Sequence, residues 1–429
     1  MKNIGRKLIF QTVSVIPFFL SICSAEASLI PPSQSTGPAR IRVRLSESAS
    51  KVAIRGFDLR IFQSASRTLA SAPSQSSEWT FRCQDGRIRA IPADGGATLT
   101  LKGPVSIQSP AGMIHYHGKP YRDEIRIHSV GSLCEVVNEL DIEKYLGGLV
   151  NAEFSSQWSA EAVQAQVIAA RTYALYQIRQ AHEKARRLGR EPRYDVDATV
   201  RDQVYDGYVS EDYRGSRAVE KTRGMVLLAK NGSGGLAPIK AFYSSSCAGQ
   251  TQLPQDVWGN SFPGFKHRVA CPYCAGNAKL AWNLNLTSTE AEKLLRQGAL
   301  EDGAQSGWPK QWRRIIQEGQ LVDLKPGAVS LSRMLSVRSV WLWAGNRMEL
   351  PLSAPKFREW IGPGRLKSTS FQIYLGLEKG AQIFQLSGRG NGHGVGMCQL
   401  GAKFMGEKGY TSIAILKHYY PDALLQKLW

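Results

Sequence analysis

Asn151-Ala152-Glu153-Phe154-Ser155-Ser156-Gln157-Trp158-Ser159 runs into Ala160-Glu161-Ala162-Val163-Gln164-Ala165-Gln166-Val167-Ile168-Ala169-Ala170-Arg171-Thr172-Tyr173-Ala174, and the rest of the chain is read outward from here. Ser159 is a good N-cap, and Glu161 falls in the first turn, where the helix dipole favours an anion. Ala160, Val163, Val167, Ala170, Ala174 and Ile178 recur at helical spacing, which predicts a long helix. Arg171 lies on the same apolar stripe, where an unpaired guanidinium is costly, so an anionic partner is expected. Glu153 lies just upstream, after the apolar run Tyr145 to Val150 and before Trp158. Its carboxyl is expected at the mouth of a cleft with apolar walls, where burial raises its pKa. A carboxyl that keeps its proton near neutral pH suits glycosidic-bond cleavage, because the leaving oxygen leaves poorly until protonated. By spacing alone, a solvated loop glutamate fits the same residues.

Upstream, Lys2, Arg6 and Lys7 precede the apolar run Leu8 to Ile22, and Ala25-Glu26-Ala27 is a small-residue cleavage pattern. Residues 1–27 therefore read as a secretory signal peptide, and no later stretch is long and apolar enough for a transmembrane span. The expected compartment is the periplasm or cell envelope. Removing this segment takes away three basic residues and one acidic one, lowering the formal charge from +19 to +17. For an exported protein such a charge points away from nucleic acid and toward wall glycans, teichoic acids and anionic headgroups.

Apart from Cys23, six cysteines remain: Cys83, Cys134, Cys247, Cys271, Cys274 and Cys398. An even number in an oxidising compartment suggests structural disulfides. The Cys271-Pro272-Tyr273-Cys274 spacing also admits a structural zinc at Cys247, Cys271 and Cys274, with His267 as an alternative fourth ligand. A redox role lacks the strand-helix-strand surroundings such a motif needs. No cofactor is required for chemistry on this reading.

Residues 28–40 are rich in Pro, Ser and Gly and read as a flexible leader. From Ile41 to Glu139, period-two runs such as Ile41 to Leu45, Val52 to Arg55, Ala97 to Leu101, Ile125 to Ile127 and Cys134 to Val137 predict an antiparallel β domain. Residues 140–429 mix strands (Val226 to Leu228, Lys240 to Tyr243, Leu324 to Leu342) with helices (Thr287 to Leu300, Phe357 to Ile361, Ser412 to Tyr420), with a sub-domain at 280–355. The fold class is α+β and strand-rich: a β domain followed by a mixed α+β catalytic core with one long central helix and an active-site cleft. Near the C-terminus, Gly388-Arg389-Gly390-Asn391-Gly392-His393-Gly394-Val395-Gly396-Met397-Cys398-Gln399-Leu400-Gly401-Ala402 permits close backbone approach of a ligand. It lacks the βαβ setting of a nucleotide loop.

Taken together, Glu143-Lys144-Tyr145-Leu146-Gly147-Gly148-Leu149-Val150, Ala152-Glu153-Phe154, Ala165 to Ala174 and Gly390 to Ala402 resemble the stage II sporulation protein D and LytB (amidase enhancer) family. The likeness extends to Asp195 to Gly207, Tyr243 to Thr251, Phe357-Arg358, Leu366 to Thr369 and His418 to Pro421. The resemblance implies a peptidoglycan lytic transglycosylase that acts on glycan strands already stripped of stem peptides. It cleaves between N-acetylmuramic acid and N-acetylglucosamine and leaves a 1,6-anhydro end. By the same resemblance Glu153 is the catalytic acid, and Arg171, Gln203, Tyr205, Ser245, His393 and Gln399 line the cleft. Because Arg171 beside Glu153 would lower the acid's pKa, Arg171 is assigned to substrate or to backbone carbonyls. A cell-wall amidase is the implied partner, and a non-catalytic glycan-binding enhancer of such an amidase is the alternative function. The chain departs from the family pattern at Asp197, Arg201 and Asp202, where relatives often carry a Cys/His metal set, and at Ser244 and Ala248.

Overall fold

The computed structural model describes residues 38–63, 68–71, 76–110, 112–232, 234–303, 308–330 and 333–429. The expected signal peptide, Cys23 and most of the leader lie outside them.

The alternating pattern of the first third produces two sheets, because residues two apart share a face. In Arg40–Ala49, Ile41 and Val43 point into the core. Arg40, Arg42 and Arg44 pair with Glu139, Asp195 and Asp197. The seven-stranded sheet runs in the order Val196–Asp197, Arg40–Ala49, Leu133–Asp141, Glu124–Val130, Val105–Gln108, Arg60–Phe62 and Thr68–Ser71. A six-stranded sheet, Lys119–Tyr121, Ile114–Tyr116, Val52–Phe57, Ser76–Gln84, Arg87–Pro92 and Leu99–Lys102, shares its core. The Cys83–Cys134 disulfide, with Sγ atoms 2.02 Å apart, joins the two sheets.

The boundary expected after Glu139 is not a seam. Val196–Asp197 returns from beyond the central helix to pair in parallel with Arg40–Ala49, Val43 opposite Val196 and Arg44 opposite Asp197. One apolar core therefore runs from Ile41 to Val219.

Helix α1 (Ile142–Glu153) follows the sheet directly, where sequence reading sees only an apolar run. Asp141 caps it by accepting from the Glu143 N–H at 2.7 Å. Helix α2 (Ala160–Arg187) is the predicted central helix, capped by Ser159. It continues seven residues past Gln180, supported by the Arg179–Glu183 pair at 2.9 Å and by Lys184, Arg186 and Arg187 in the last turn, where the dipole favours cations. Helix α3 (Tyr213–Lys221) packs on α1 and α2. Short helices α4 (Pro254–Trp258) and α5 (Pro272–Ala275) follow.

A second core gathers α6 (Ser288–Asp302), α7 (Lys310–Glu318) and α8 (Ala354–Ile361) against two three-stranded sheets. It extends to the strand Ala381–Arg389, beyond the 280–355 span read from the sequence. Helices α9 (Gln399–Glu407) and α10 (Ser412–Tyr419) return to pack on α2. No helix among the described residues is long and apolar enough to cross a membrane.

The anionic partner of Arg171 is Glu143. Nη2 donates to Oε2 at 2.7 Å and Nε to Oε1 at 3.1 Å, while the guanidinium also reaches the Val219 and Met225 carbonyls at 3.3 and 3.2 Å. Arg171 is 0% exposed. The assignment of this residue to substrate is therefore corrected: its donors are spent on Glu143 and on backbone and Thr222 oxygens inside the core, out of reach of a ligand. Arg171→Ala leaves Glu143 buried without its counter-charge, so denaturant unfolding should show a loss of about 3–5 kcal/mol, with much of it recovered in the double variant Glu143→Leu/Arg171→Met.

Candidate active site

Glu153 is the last residue of α1, and three local features set its chemistry. The C-terminal end of a helix presents carbonyl dipoles that disfavour a negative charge. Burial against the apolar end of α1 pushes the carboxyl up to about 7, opposed only by the Val204 N–H that donates to Oε1. Among the described residues no basic side chain forms an ion pair with it. The Val204 segment comes this close because residue 148 is glycine: a Cβ there would lie 2.6 Å from the Gly207 carbonyl oxygen and 2.7 Å from the Tyr205 ring. Gly148 in the apolar run thus lets a distant loop reach the acid.

Behind the carboxyl lies a neutral hydrogen-bonded network. The Tyr145 hydroxyl donates to Gln203 Oε1 at 3.0 Å, and Gln203 Nε2 donates to the Tyr243 hydroxyl at 2.9 Å. Burial first, and then the nearby Glu153 charge, push both tyrosines well above their ordinary range, so they remain phenols. Asp202 shares Tyr145 and Tyr173 with Glu153 as electrostatic neighbours. Its oxygens are occupied: Oδ1 accepts from Tyr173 and Gln177, and Oδ2 from the Asp197 N–H. Among the described residues of this network, Glu153 is the carboxyl whose second oxygen has no hydrogen-bond partner.

His393 approaches from the glycine-rich loop. Nδ1 accepts from the Val395 N–H at 3.0 Å, and the ring lies 5.0 Å from that of Trp258. Burial, with Arg358 and Arg333 nearby, pushes its pKa down to about 3 against a hydrogen bond with the Tyr243 backbone. It is therefore neutral at physiological pH. The loop is tied to Tyr243 by the parallel pairing of Tyr243–Ser244 with Met397–Cys398.

The other expected site residues divide. Gln399 begins α9 and reaches Gln166 of α2 at 3.4 Å. Ser245 is exposed, and its carbonyl accepts from the Leu400 N–H at 3.1 Å. Tyr205 turns away from the carboxyl: its hydroxyl donates to Asn138 at 2.8 Å and its ring packs on Tyr145 and Tyr121. It supports the site from below without facing it.

Sequence reasoning passed over Tyr145, Tyr243 and Arg358. Recognising Asp141 as a cap would have turned Tyr145 to Glu153 into a helix with both residues on neighbouring faces. Arg358 is half-buried in α8, and its Nε is buried with no partner among the described residues. Positions 197, 201 and 202 are used here for ion pairs and loop hydrogen bonds: Asp197 with Arg44 at 2.8 Å and Arg201 with Glu47 at 3.0 Å. A separate open hollow of about 520 Å³ lies between Arg40, Arg122, Arg126 and Glu139. Its arginines are already paired with Glu139, Glu211 and Glu124, leaving no unsatisfied charge to recruit an anion.

The expected disulfides among the later cysteines are not formed; Cys247, Cys271, Cys274 and Cys398 are free and buried. His267 is not near them as a ligand, since it is exposed and meets Asp422 at 3.1 Å.

Because the folded pKa of Glu153 lies above the ordinary value of 4.5, its protonation stabilises the fold below about pH 4.5, and that contribution is lost as pH rises through about 7. Glu153→Gln should match the wild type in acid and exceed it well above pH 7, by roughly 3 kcal/mol at 1.36 kcal/mol per unit. Denaturant unfolding of both proteins across this range measures the crossing.

The family model described as stage II sporulation protein matches residues 131–228, which carry Glu143, Glu153, Arg171, Gln203 and Tyr205. An uncharacterized protein of Brachyspira hyodysenteriae is 30% identical over 318 residues, 72% of this chain and 71% of that one. The Bacillus subtilis protein named stage II sporulation protein D is 26% identical over 311 residues, 68% and 78% of the two chains. The Bacillus subtilis protein named amidase enhancer is 28% identical over 309 residues, 65% of this chain and only 40% of its own length. Together with the fold built around α1 and α2, these matches establish that the chain belongs to the stage II sporulation protein D family.

Proposed function

We propose that this chain is an exported peptidoglycan lytic transglycosylase acting on glycan strands from which an amidase has removed the stem peptides. The observation that carries the reading is the state of Glu153, a single carboxyl held near pKa 7 with no paired cation among the described residues. Below that pH it is a proton donor. It protonates the oxygen between the muramic and glucosamine residues, and the bond to the anomeric carbon breaks. The resulting carboxylate takes the proton of the muramic 6-hydroxyl as that oxygen bonds to its own anomeric carbon, closing the 1,6-anhydro ring and returning Glu153 to its acid form. One group serves both steps, so the paired carboxylates of ordinary glycoside hydrolysis are unnecessary, in keeping with Asp202 being fully engaged. Neutral His393 and Tyr243 offer hydrogen bonds to sugar hydroxyls without lowering the acid's pKa, while Gln203, 0% exposed and with both polar atoms engaged, holds the Tyr145 and Tyr243 hydroxyls in place rather than meeting the sugar.

A stripped strand carries a lactyl carboxylate on each muramic residue. Arg171 is sealed in the core, so recognition of that charge falls on cations at the site. Arg358, whose Nε has no partner among the described residues, and Lys240 both lie near His393. The disulfide between Cys83 and Cys134 supports export to an oxidising compartment. A relative named amidase enhancer motivates a second reading, in which the chain binds glycan and assists an amidase without cutting.

Purified protein incubated with amidase-treated wall should release fragments with 1,6-anhydro ends, detected by mass spectrometry. Glu153→Gln should lower that rate by about a hundredfold or more with glycan binding retained, because it removes the proton and little shape. Turnover by this variant at the wild-type rate sinks the assignment, and binding by an inactive wild type favours the enhancer. Arg358→Gln should weaken binding to stripped strands more than to peptide-bearing ones, as pull-down on both strand types would measure.

A further inference from the structure

Cys247, Cys271, Cys274 and Cys398 come from three separate stretches of chain, yet their sulfur atoms all lie within 4.8 Å of one another. Each cysteine is at most 2% exposed. Cys274 Sγ sits 3.6 Å from Cys247 Sγ and 3.4 Å from Cys271 Sγ. Four sulfurs at about 2.3 Å from a central zinc stand about 3.8 Å apart along a tetrahedron's edges, close to this spacing. A disulfide would bring a pair to about 2.05 Å, as the same protein does at Cys83–Cys134.

The surroundings are arranged for negatively charged sulfur. Cys398 Sγ accepts from the Cys247 N–H at 3.4 Å and from the Gly401 N–H at 3.2 Å, and Cys271 Sγ meets the Tyr419 hydroxyl at 3.1 Å. Residue 401 has to be glycine, since a Cβ there would stand 2.6 Å from Cys271 Sγ and 2.0 Å from the Tyr419 oxygen. Arg333 gives an independent reason to place negative charge here. It is 1% exposed and donates to the Cys247 carbonyl at 2.6 Å and to Thr369 at 3.4 Å, with no carboxylate paired to it among the described residues. A buried cation without a counter-charge is costly. Zinc on four thiolates, bound with release of four protons, leaves a centre of charge −2 beside it.

We infer that Cys247, Cys271, Cys274 and Cys398 bind one structural zinc ion, which fixes the glycine-rich loop against the Tyr243–Ser244 strand. The fourth ligand is Cys398, next to Gln399 and five residues after His393, so the metal holds the wall that carries both. This centre supplies no chemistry to cleavage and does not rest on the reading of Glu153. Its failure and that of the glycosidic reaction are separately visible.

The test uses full-length protein exported by its host and purified without chelator. Native mass spectrometry and elemental analysis should find one zinc per chain, in the wild type and in Glu153→Gln alike. Peptide mapping should find Cys83 linked to Cys134 and the other four cysteines alkylated only after metal removal. Cobalt in place of zinc should give the ligand-field and charge-transfer bands of a tetrathiolate site. His267→Ala should keep the metal, and Cys398→Ser should lose it. Chelation should lower amide protection in residues 391–400 and 243–251 while the N-terminal sheets keep theirs. Metal-free wild type, a disulfide among the four cysteines, or a cobalt spectrum showing fewer than four sulfurs would overturn the site. Unchanged protection after metal loss would overturn its positioning role.

Discussion

The contact on which the structure turns is the buried ion pair between Glu143 and Arg171. It stands where α1, α2 and α3 meet, and Glu143 also accepts from the Gly224 N–H and the Trp429 indole at 3.3 and 3.2 Å. Trp429 and the first turn of α1 are thereby locked to one guanidinium. An isolated charge in such a place would be prohibitive, whereas a bidentate pair with further carbonyl partners is tolerated and admits few alternative arrangements. Because α1 is held at its N-terminal end by this pair, its C-terminal end has a defined position, and that end carries Glu153.

The site is built on the opposite principle. The hydrogen-bonded groups behind Glu153 are neutral, two phenols and an amide, and His393 on the adjoining loop is kept uncharged by burial and by neighbouring arginines. A cation within reach would stabilise the carboxylate and drain its acidity, and Arg171 instead pairs with Glu143, ten residues before Glu153 on the same helix. Separating the charged anchor from the uncharged pocket lets the same helix be rigid at one end and poised for proton transfer at the other.

The cysteines divide in a related way. Cys83 and Cys134 cross-link two sheets that a continuous apolar core already joins. The other four gather where chain segments far apart in sequence meet around a loop rich in glycine. A loop of that composition gains little from side-chain packing and loses much entropy on ordering. Holding it from one end at Cys398 is an economical way to bring His393 and Gln399 to fixed places.

Local pattern was enough for much of the fold. Strands between Ile41 and Val137, the Ser159-capped helix, and the presence of helices near α6 and α10 follow from periodicity and capping, which depend on near neighbours. The need of Arg171 for an anion was legible as well, since a charge on an apolar stripe demands a partner. The partner's identity was not: Glu143 lies 28 residues away on another helix, and only packing brings them together. The same holds for the return of Val196–Asp197 to the first strand, for Val204 reaching Glu153 across Gly148, and for Cys398 joining Cys247, Cys271 and Cys274. Sequence by itself determined most of the strands and helices, though not α1, and marked Glu153 and Arg171 as side chains whose surroundings would matter. Tertiary structure alone decided which of them meet, because burial, and with it the proton on Glu153 and the inaccessibility of Arg171, is a property of the assembled core.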